Sequence, residues 1–371
     1  AIPFLTTTRE RFVPKGVVGI IAPWNYPLTL AVSDAIPALL AGNGVVLKPD
    51  SQTPLTALAA IELLVEAGIP ADLFGVVTGP GRVVGPPLID AVDYMMFTGS
   101  TATGRVIGAA CGQRLIGYSA ELGGKNPMIV AADADLDRVV EGFVWAAFAN
   151  SGQLCISIER LYIHDAVYDE LVPRLVERVN RIRLGNGYDW SVEMGSLVSA
   201  DQLAKVREHI DDAVAKGATI LAGGKRRDDI GPFVHEPTLL TGVTDEMLCA
   251  RAETFGPVVA IYRVADDGEA IRLANDSEYG LNASVWASPA RGQVIARQLR
   301  TGTVNINEGY AAAWASHDAP MGGMGISGLG RRHGREGIRK FTEPQTISVQ
   351  RLLPIAPQPQ FSLQQWADVM T

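Results

Sequence analysis

Cysteine is scarce in this chain. Its 371 residues include three, Cys111, Cys155 and Cys249. An odd number at wide spacings makes neither a disulfide framework nor a metal-ligand cluster, and a reducing, cytoplasmic setting fits best. Histidine is nearly as sparse: the five, at 164, 209, 235, 317 and 333, show no ligand spacing, so no catalytic metal is expected. Positive charge is also short. Lys and Arg number 32 against 40 Asp and Glu, a formal net charge of −8, and an acidic chain is not drawn to nucleic acid or to an anionic membrane surface. A long apolar run is missing too, because the most apolar window, residues 28–47, is interrupted by Asp34, Pro37, Gly42 and Asn43 and fails as a membrane span. The opening AIPFLTTTRERF has no signal-peptide pattern and no initiator Met, so the visible start is not expected to be the native one.

What the chain does have is core material. Hydrophobic residues make up 47% and charged residues 19%, the composition of a soluble globular protein, and the length predicts two domains. Short β-branched runs alternate with helical patterns. GVVGII (16–21) and GVVLK (44–48) read as strands, SDAIPALLAG (33–42) as a helix, and 54–68 as a helix opening on Thr53 and Pro54. FGVVTG and VDYMMFTG (92–99) continue as strands, with STATGRVIGAACG a helix after them. Such repetition, with continuous apolar strands, predicts a parallel sheet covered on both faces. PMIV (127–130) is one more strand, with a helix across LDRVVEGFVWAAF, and a second α/β unit runs from RLYIH to TVNIN. A domain boundary is expected near 122–126, at the Gly-Gly pair. The tail beginning IAPQPQ reads as peripheral.

Several polar or glycine-rich clusters fall where strands end, which is where open parallel sheets bind ligands. They are APWNYP, KPDSQTP, TGPG and FTGSTATG. FTGSTATGR offers backbone N–H groups and a helix dipole to a pyrophosphate, but it lacks the G-x-G-x-x-G spacing, and a packing turn is the bland alternative. Lys48 ends a buried strand, where a lysine is costly unless its ammonium emerges into a polar cleft. Glu121 precedes a Leu-Gly-Gly turn and is either a cleft carboxylate or a surface one. Cys155 sits in NSGQLCISIER; a free cysteine usually packs as a small hydrophobe, the reading given to Cys111 and Cys249.

In chain order, IIAPWNYP, KPDSQTP, FTGSTATGR, ELGGKNP, NSGQLCISIER, ETFGPV and SGLGRRHGREG resemble the motifs of the NAD(P)-dependent aldehyde dehydrogenase superfamily. The resemblance covers nearly the whole chain; the family's N-terminal portion is not matched, so a truncated start or an omitted segment is expected. The implied fold is α/β: a Rossmann-like parallel-sheet cofactor domain, its N-terminal part absent, plus an α/β catalytic domain. Residues 1–14 would supply part of an oligomerisation strand, 15–123 the partial NAD(P)-binding domain, 124–330 the catalytic thiol domain, and 331–371 a C-terminal return with an oligomerisation segment around TISVQRLL (346–353). A homo-oligomer, dimer or tetramer, is implied.

By resemblance, Cys155 is the nucleophile, Glu121 the general base, and Asn25 a donor to the oxyanion together with the Cys155 N–H. Lys48 matches the lysine on the adenosine ribose, Gly99 and Ser100 the pyrophosphate turn, and Glu253 and Phe255 the residues placing the nicotinamide ribose and ring; Trp24 lines the same cleft. The residue chemistry suits oxidation of a small-molecule aldehyde to an acid through a thiohemiacetal and thioester. A base such as Glu121 favours hydrolysis over transfer to coenzyme A. Many NAD-using relatives carry Glu where Ser51 stands. Ser51 and Lys48 accommodate a 2′-phosphate, which favours NADP over NAD, although Asp50 beside them counts against it. The sequence looks most like bacterial succinate-semialdehyde dehydrogenases, yet Ser33 and Ala149 stand where such enzymes place carboxylate-binding arginines, and Asp34 replaces a lysine common in the family. Trp314 and His317, in WASHDAPMGG, match the substrate entrance. Alternatives remain: a dehydrogenase of a neutral aliphatic or aromatic aldehyde, a catalytically silent member of the fold, and a cofactor-free cysteine hydrolase, which needs a histidine partner for its thiol.

Overall fold

The structure is a computed structural model and describes residues 6–188, 190–351, 356 and 359–370. Two large sheets organise it. The first has the strand order 328–329, 117–121, 94–98, 17–21, 44–48, 74–76. All neighbours are parallel except Gly328–Leu329, which runs antiparallel to Gly117–Glu121. The second has the order 303–306, 282–286, 126–130, 158–164, 258–264, 238–241, 219–222, parallel up to its last strand, Thr219–Ala222, which is antiparallel. The expected all-parallel sheets are therefore mixed, each at one edge. An edge strand meets a single neighbour, so nothing in a buried apolar run dictates its direction.

Helices cover both faces of each sheet. On the first, Ala31, Ala35, Ala38 and Ala57 pack against Val18, Ile20, Val45 and Leu47, while Leu88, Ile107 and Cys111 fill the opposite face beside Met95 and Phe97. On the second, Phe143, Phe148, Leu171 and Leu175 form the largest cluster with Met128, Leu161 and Val259. Helix Leu136–Phe148 opens on Asp135, whose side chain accepts from Arg138 N, a helix N-cap. Its apolar residues recur at helical spacing, which buries Val139, Val140, Phe143, Val144, Ala146 and Ala147 along one stripe.

The strand Gly117–Glu121 was not expected. Its GYSAE has weak strand propensity, and its place between Tyr94–Thr98 and Gly328–Leu329 is set by the sheet. The helix read at 33–42 runs Ala35–Leu40, and a further short helix, Pro27–Val32, precedes it. The strand expected around 346–353 runs Thr342–Gln350 and pairs antiparallel with Thr6–Pro14 in a two-stranded ribbon; 352–353 lie outside the described residues. Among the described residues no helix is long and apolar enough to cross a membrane.

Phe143 is 0% exposed and meets Phe148 edge to face with ring centroids 5.6 Å apart. Replacing it with alanine removes transfer energy and leaves a cavity, so Phe143→Ala should lower unfolding free energy by about 3–5 kcal/mol, read as a shift of the urea midpoint at unchanged slope.

Candidate active site

Parallel strands carry their C-terminal ends to one edge, and the first sheet's row there is Ile21, Lys48, Val76, Thr98 and Glu121. The loop after Ile21 carries Trp24 and Asn25 into contact with the start of the second sheet. Asn25 Nδ2 donates to Gln153 O at 3.0 Å, and the Trp24 ring meets Phe255 edge-on at 5.6 Å. The opposed ends of the two sheets thus bound one cleft.

Cys155 is presented by a tightly wound turn. Asn150, Ser151 and Gly152 have φ of 50°, 57° and 71°, a left-handed run that costs non-glycine residues about 1–3 kcal/mol each. Local bonds hold it. Gln153 Nε2 donates to Asn150 O at 2.9 Å, its Oε1 accepts from Val198 N at 2.8 Å, and Ser151 Oγ donates to Gly195 O at 2.9 Å. Gly152 is required twice over, since a Cβ there would stand 2.3 Å from Gly256 O. Asn126 Nδ2 donates to Cys155 O at 2.8 Å and Ser157 O at 2.7 Å, which fixes the backbone carrying the thiol. The thiol lies against Ile156, Leu281 and Met321 and is partly exposed, whereas Cys111 and Cys249 are buried. Burial first, then the nearby Glu121 carboxylate, pushes it up to about 12, so at rest it holds its proton. Among the described residues no histidine hydrogen-bonds it, which disfavours the hydrolase reading.

Asn25 has a fixed orientation. Its amide donates to Gln153 O, and reversing the amide would bring two oxygens together there. One Nδ2 hydrogen remains for a ligand, and Oδ1 is buried with no partner.

Glu121 is no surface group: it is 3% exposed at the end of its strand. Gly322 passes so close that a Cβ there would stand 2.9 Å from Glu121 Oε1. Burial raises its carboxyl to about 7, against the pull of Arg332 and Lys340. Beside it lies a buried ion cluster that the sequence reading missed. Asp34 accepts from Arg332 Nε at 2.9 Å and Nη2 at 2.6 Å, and from Lys340 Nζ at 2.8 Å.

Glu253 Oε1 accepts from Gly124 N at 2.8 Å, and burial followed by the Glu159 charge raises its carboxyl to about 7. Phe255 has φ of 55°, held by Glu159, which accepts from Phe255 N at 2.9 Å and Thr254 N at 2.9 Å and is itself ion-paired to Lys125. Trp314 is largely exposed, and the His317 ring meets His333 at 5.9 Å.

A dinucleotide fits the first sheet's edge. Lys48 is 4% exposed, yet its ammonium has no ionic partner among the described residues. Ser51 Oγ, exposed beside it, donates to Gly79 O at 3.1 Å. At the end of strand Tyr94–Thr98, Ser100 caps helix Thr101–Arg114 by accepting from Thr103 N. Gly99 leaves that turn bare, a Cβ there standing 2.5 Å from the Phe97 ring. An unpaired ammonium and an open helix N-terminus suit ribose and phosphate groups.

Comparison with known proteins identifies the family. The aldehyde dehydrogenase family matches residues 4–347. A Mycolicibacterium smegmatis protein named "Putative succinate-semialdehyde dehydrogenase (NADP(+))" is 59% identical over 371 residues, covering 100% of this chain and 72% of the relative. A glutarate-semialdehyde dehydrogenase of Pseudomonas aeruginosa is 44% identical over 89% of this chain and 68% of its own length. Among solved structures, an NADP-dependent enzyme of E. coli superposes with TM-score 0.90 at 39% identity, over 94% of this chain and 73% of that one. Betaine aldehyde dehydrogenase of Staphylococcus aureus, in complex with NAD+, does so with TM-score 0.90 at 36% identity, over 98% of this chain and 72% of that one. With a family match over residues 4–347 and 59% identity to a relative across the whole chain, the chain belongs to the aldehyde dehydrogenase family.

Proposed function

We propose that this chain oxidises succinate semialdehyde to succinate with NADP, through a covalent intermediate on Cys155. The convergence of Cys155, Asn25 and Glu121 on one cleft carries the reaction type. The names of the relatives 59% identical to it carry substrate and cofactor. Lys48, Ser51, Gly99 and Ser100 would hold the adenosine and phosphate end of NADP, and Glu253, Phe255 and Trp24 its nicotinamide end. Ser33, whose hydroxyl is buried without a partner among the described residues, offers the substrate carboxylate a donor where relatives carry an arginine. Residues 15–123 would form the cofactor domain and 124–330 the catalytic domain, although 328–329 return to the first sheet. The ribbon of Thr6–Pro14 and Thr342–Gln350 would join subunits of a cytoplasmic homo-oligomer, since a two-stranded sheet leaves its edges open.

The chemistry follows from the side chains. The Cys155 thiol passes its proton to solvent as Sγ bonds to the aldehyde carbon; the carbonyl electron pair moves onto oxygen. Asn25 Nδ2–H and the Cys155 N–H donate to that oxyanion, where donors placed in advance lower the barrier most. NADP, when bound, supplies the hydride acceptor that turns the adduct into a thioester. Glu121, as carboxylate, takes a proton from water while the water oxygen adds to the thioester carbon. Sγ then leaves with the C–S electron pair, and the carboxyl returns the proton to it.

Absorbance of the reduced cofactor tests this with succinate semialdehyde. Cys155→Ala should abolish turnover, and Asn25→Ala should lower kcat by about 10²–10³. Turnover by Cys155→Ala would refute the covalent route, and turnover of neutral aldehydes alone would refute the substrate. NADP should give the higher kcat/KM, and Ser51→Glu should reverse the preference by repelling the 2′-phosphate.

Unfolding probes Glu121 without turnover. Its carboxyl titrates at about 7 when folded and at about 4.3 in an unfolded chain. The unfolded chain therefore releases its proton first, and stability falls as pH rises between those values, by up to about 4 kcal/mol. Glu121→Gln should be the more stable protein at pH about 8, with the gain much smaller at pH about 5, in urea unfolding.

A further inference from the structure

The Asp34 cluster stands against Glu121 through two structural routes. Arg332 Nη2 donates to Thr98 Oγ1 at 2.5 Å, and Thr98 is the register partner of Glu121 on the adjacent strand. The Arg332 backbone pairs with Met321, N to O at 2.6 Å and O to N at 2.8 Å. Met321 packs beside Cys155, and its neighbour Gly322 abuts Glu121 Oε1. One backbone bridge therefore places the guanidinium, the apolar wall of the thiol and the contact to the carboxylate.

The charges do not cancel within the cluster. Asp34, 1% exposed, carries one negative charge against the two positive charges of Arg332 and Lys340. Those two cations hold Asp34 well below the usual carboxylate range despite its burial, so it stays ionised throughout the working range. An uncompensated buried charge is costly, and ionised Glu121 is the group that balances it. The charged and titratable groups facing Glu121 are Arg332, Lys340 and Arg331, which favour its anion, and Asp34 and Cys155, which oppose it.

We propose that Asp34, Arg332 and Lys340 are positioning residues that set the ionisation of Glu121. The cluster's one excess positive charge keeps a fully buried carboxyl ionisable near neutrality, and Asp34 keeps that pull from holding the proton off too firmly for it to be shuttled. This rests on the reading of Glu121 as the general base.

The test is the pH profile of kcat with succinate semialdehyde and NADP. The wild-type profile should have an acidic limb that Glu121→Gln removes. Lys340→Met, which keeps the Arg332–Asp34 fork, should move that limb to higher pH by about one unit; Asp34→Asn should move it lower by about as much. The same shifts should appear, without turnover, in the pH at which the stabilisation by Glu121→Gln levels off in each background. If Glu121→Gln keeps the limb, the general-base reading fails. If Glu121→Gln removes it but Lys340→Met leaves in place both the limb and the pH at which the stabilisation levels off, the cluster proposal alone is overturned. A loss of rate equal at all pH values in Lys340→Met would also overturn it, and that variant carries the test even where Asp34→Asn does not fold.

Discussion

The common polarity of the strands in the first sheet is the constraint on which everything else depends. Because Ile21, Lys48, Thr98 and Glu121 end their strands at the same edge, the residues that follow them fall in a row without any need for sequence proximity. Asn25 and Cys155 are 130 positions apart in the numbering, yet the carbonyl of Gln153 is shared by the amides of Asn25 and Asn150. The two sheets are thereby joined at the atoms where the chemistry is placed. Strain in the Asn150–Gly152 turn is tolerated because Gln153, Ser151 and Asn126 each fix a different part of it.

The site shows how burial and charge divide labour between two carboxylates of the same cleft. Asp34 and Glu121 are both buried, but Asp34 is gripped by two cations while Glu121 feels them at second hand. One is held as a permanent anion and the other is left near neutrality, where a proton moves easily in either direction. Glu253 reaches the same range by burial and by the charge of Glu159. A thiol pushed up by both burial and Glu121 is thus kept in its protonated, less oxidisable form.

Much of this was legible in the chain. Gly44–Lys48 and Leu136–Phe148 coincide with the segments read from apolar periodicity, because a buried strand and an amphipathic helix leave a strong pattern. Gly117–Glu121 was not legible: glycine, serine and alanine carry little strand preference, and its two neighbours in the sheet make it a strand. The antiparallel edges were missed for a related reason, since direction at an edge is a matter of connection and not of composition. Asp34 drew notice only as an odd residue at its position. Its partner Arg332 lies 298 residues away, and no spacing rule reaches that far in a single sequence.

The ribbon of Thr6–Pro14 and Thr342–Gln350 pairs two segments far apart in sequence, with Thr6 opposite Gln350. Its root is fixed where Lys15 N donates to Phe341 O at 3.3 Å, and Phe341 is buried in the core of the first sheet. Closing so long a loop is entropically unfavourable until the body between has condensed. Its two strands therefore come within pairing distance only once residues 15–341 between them have condensed.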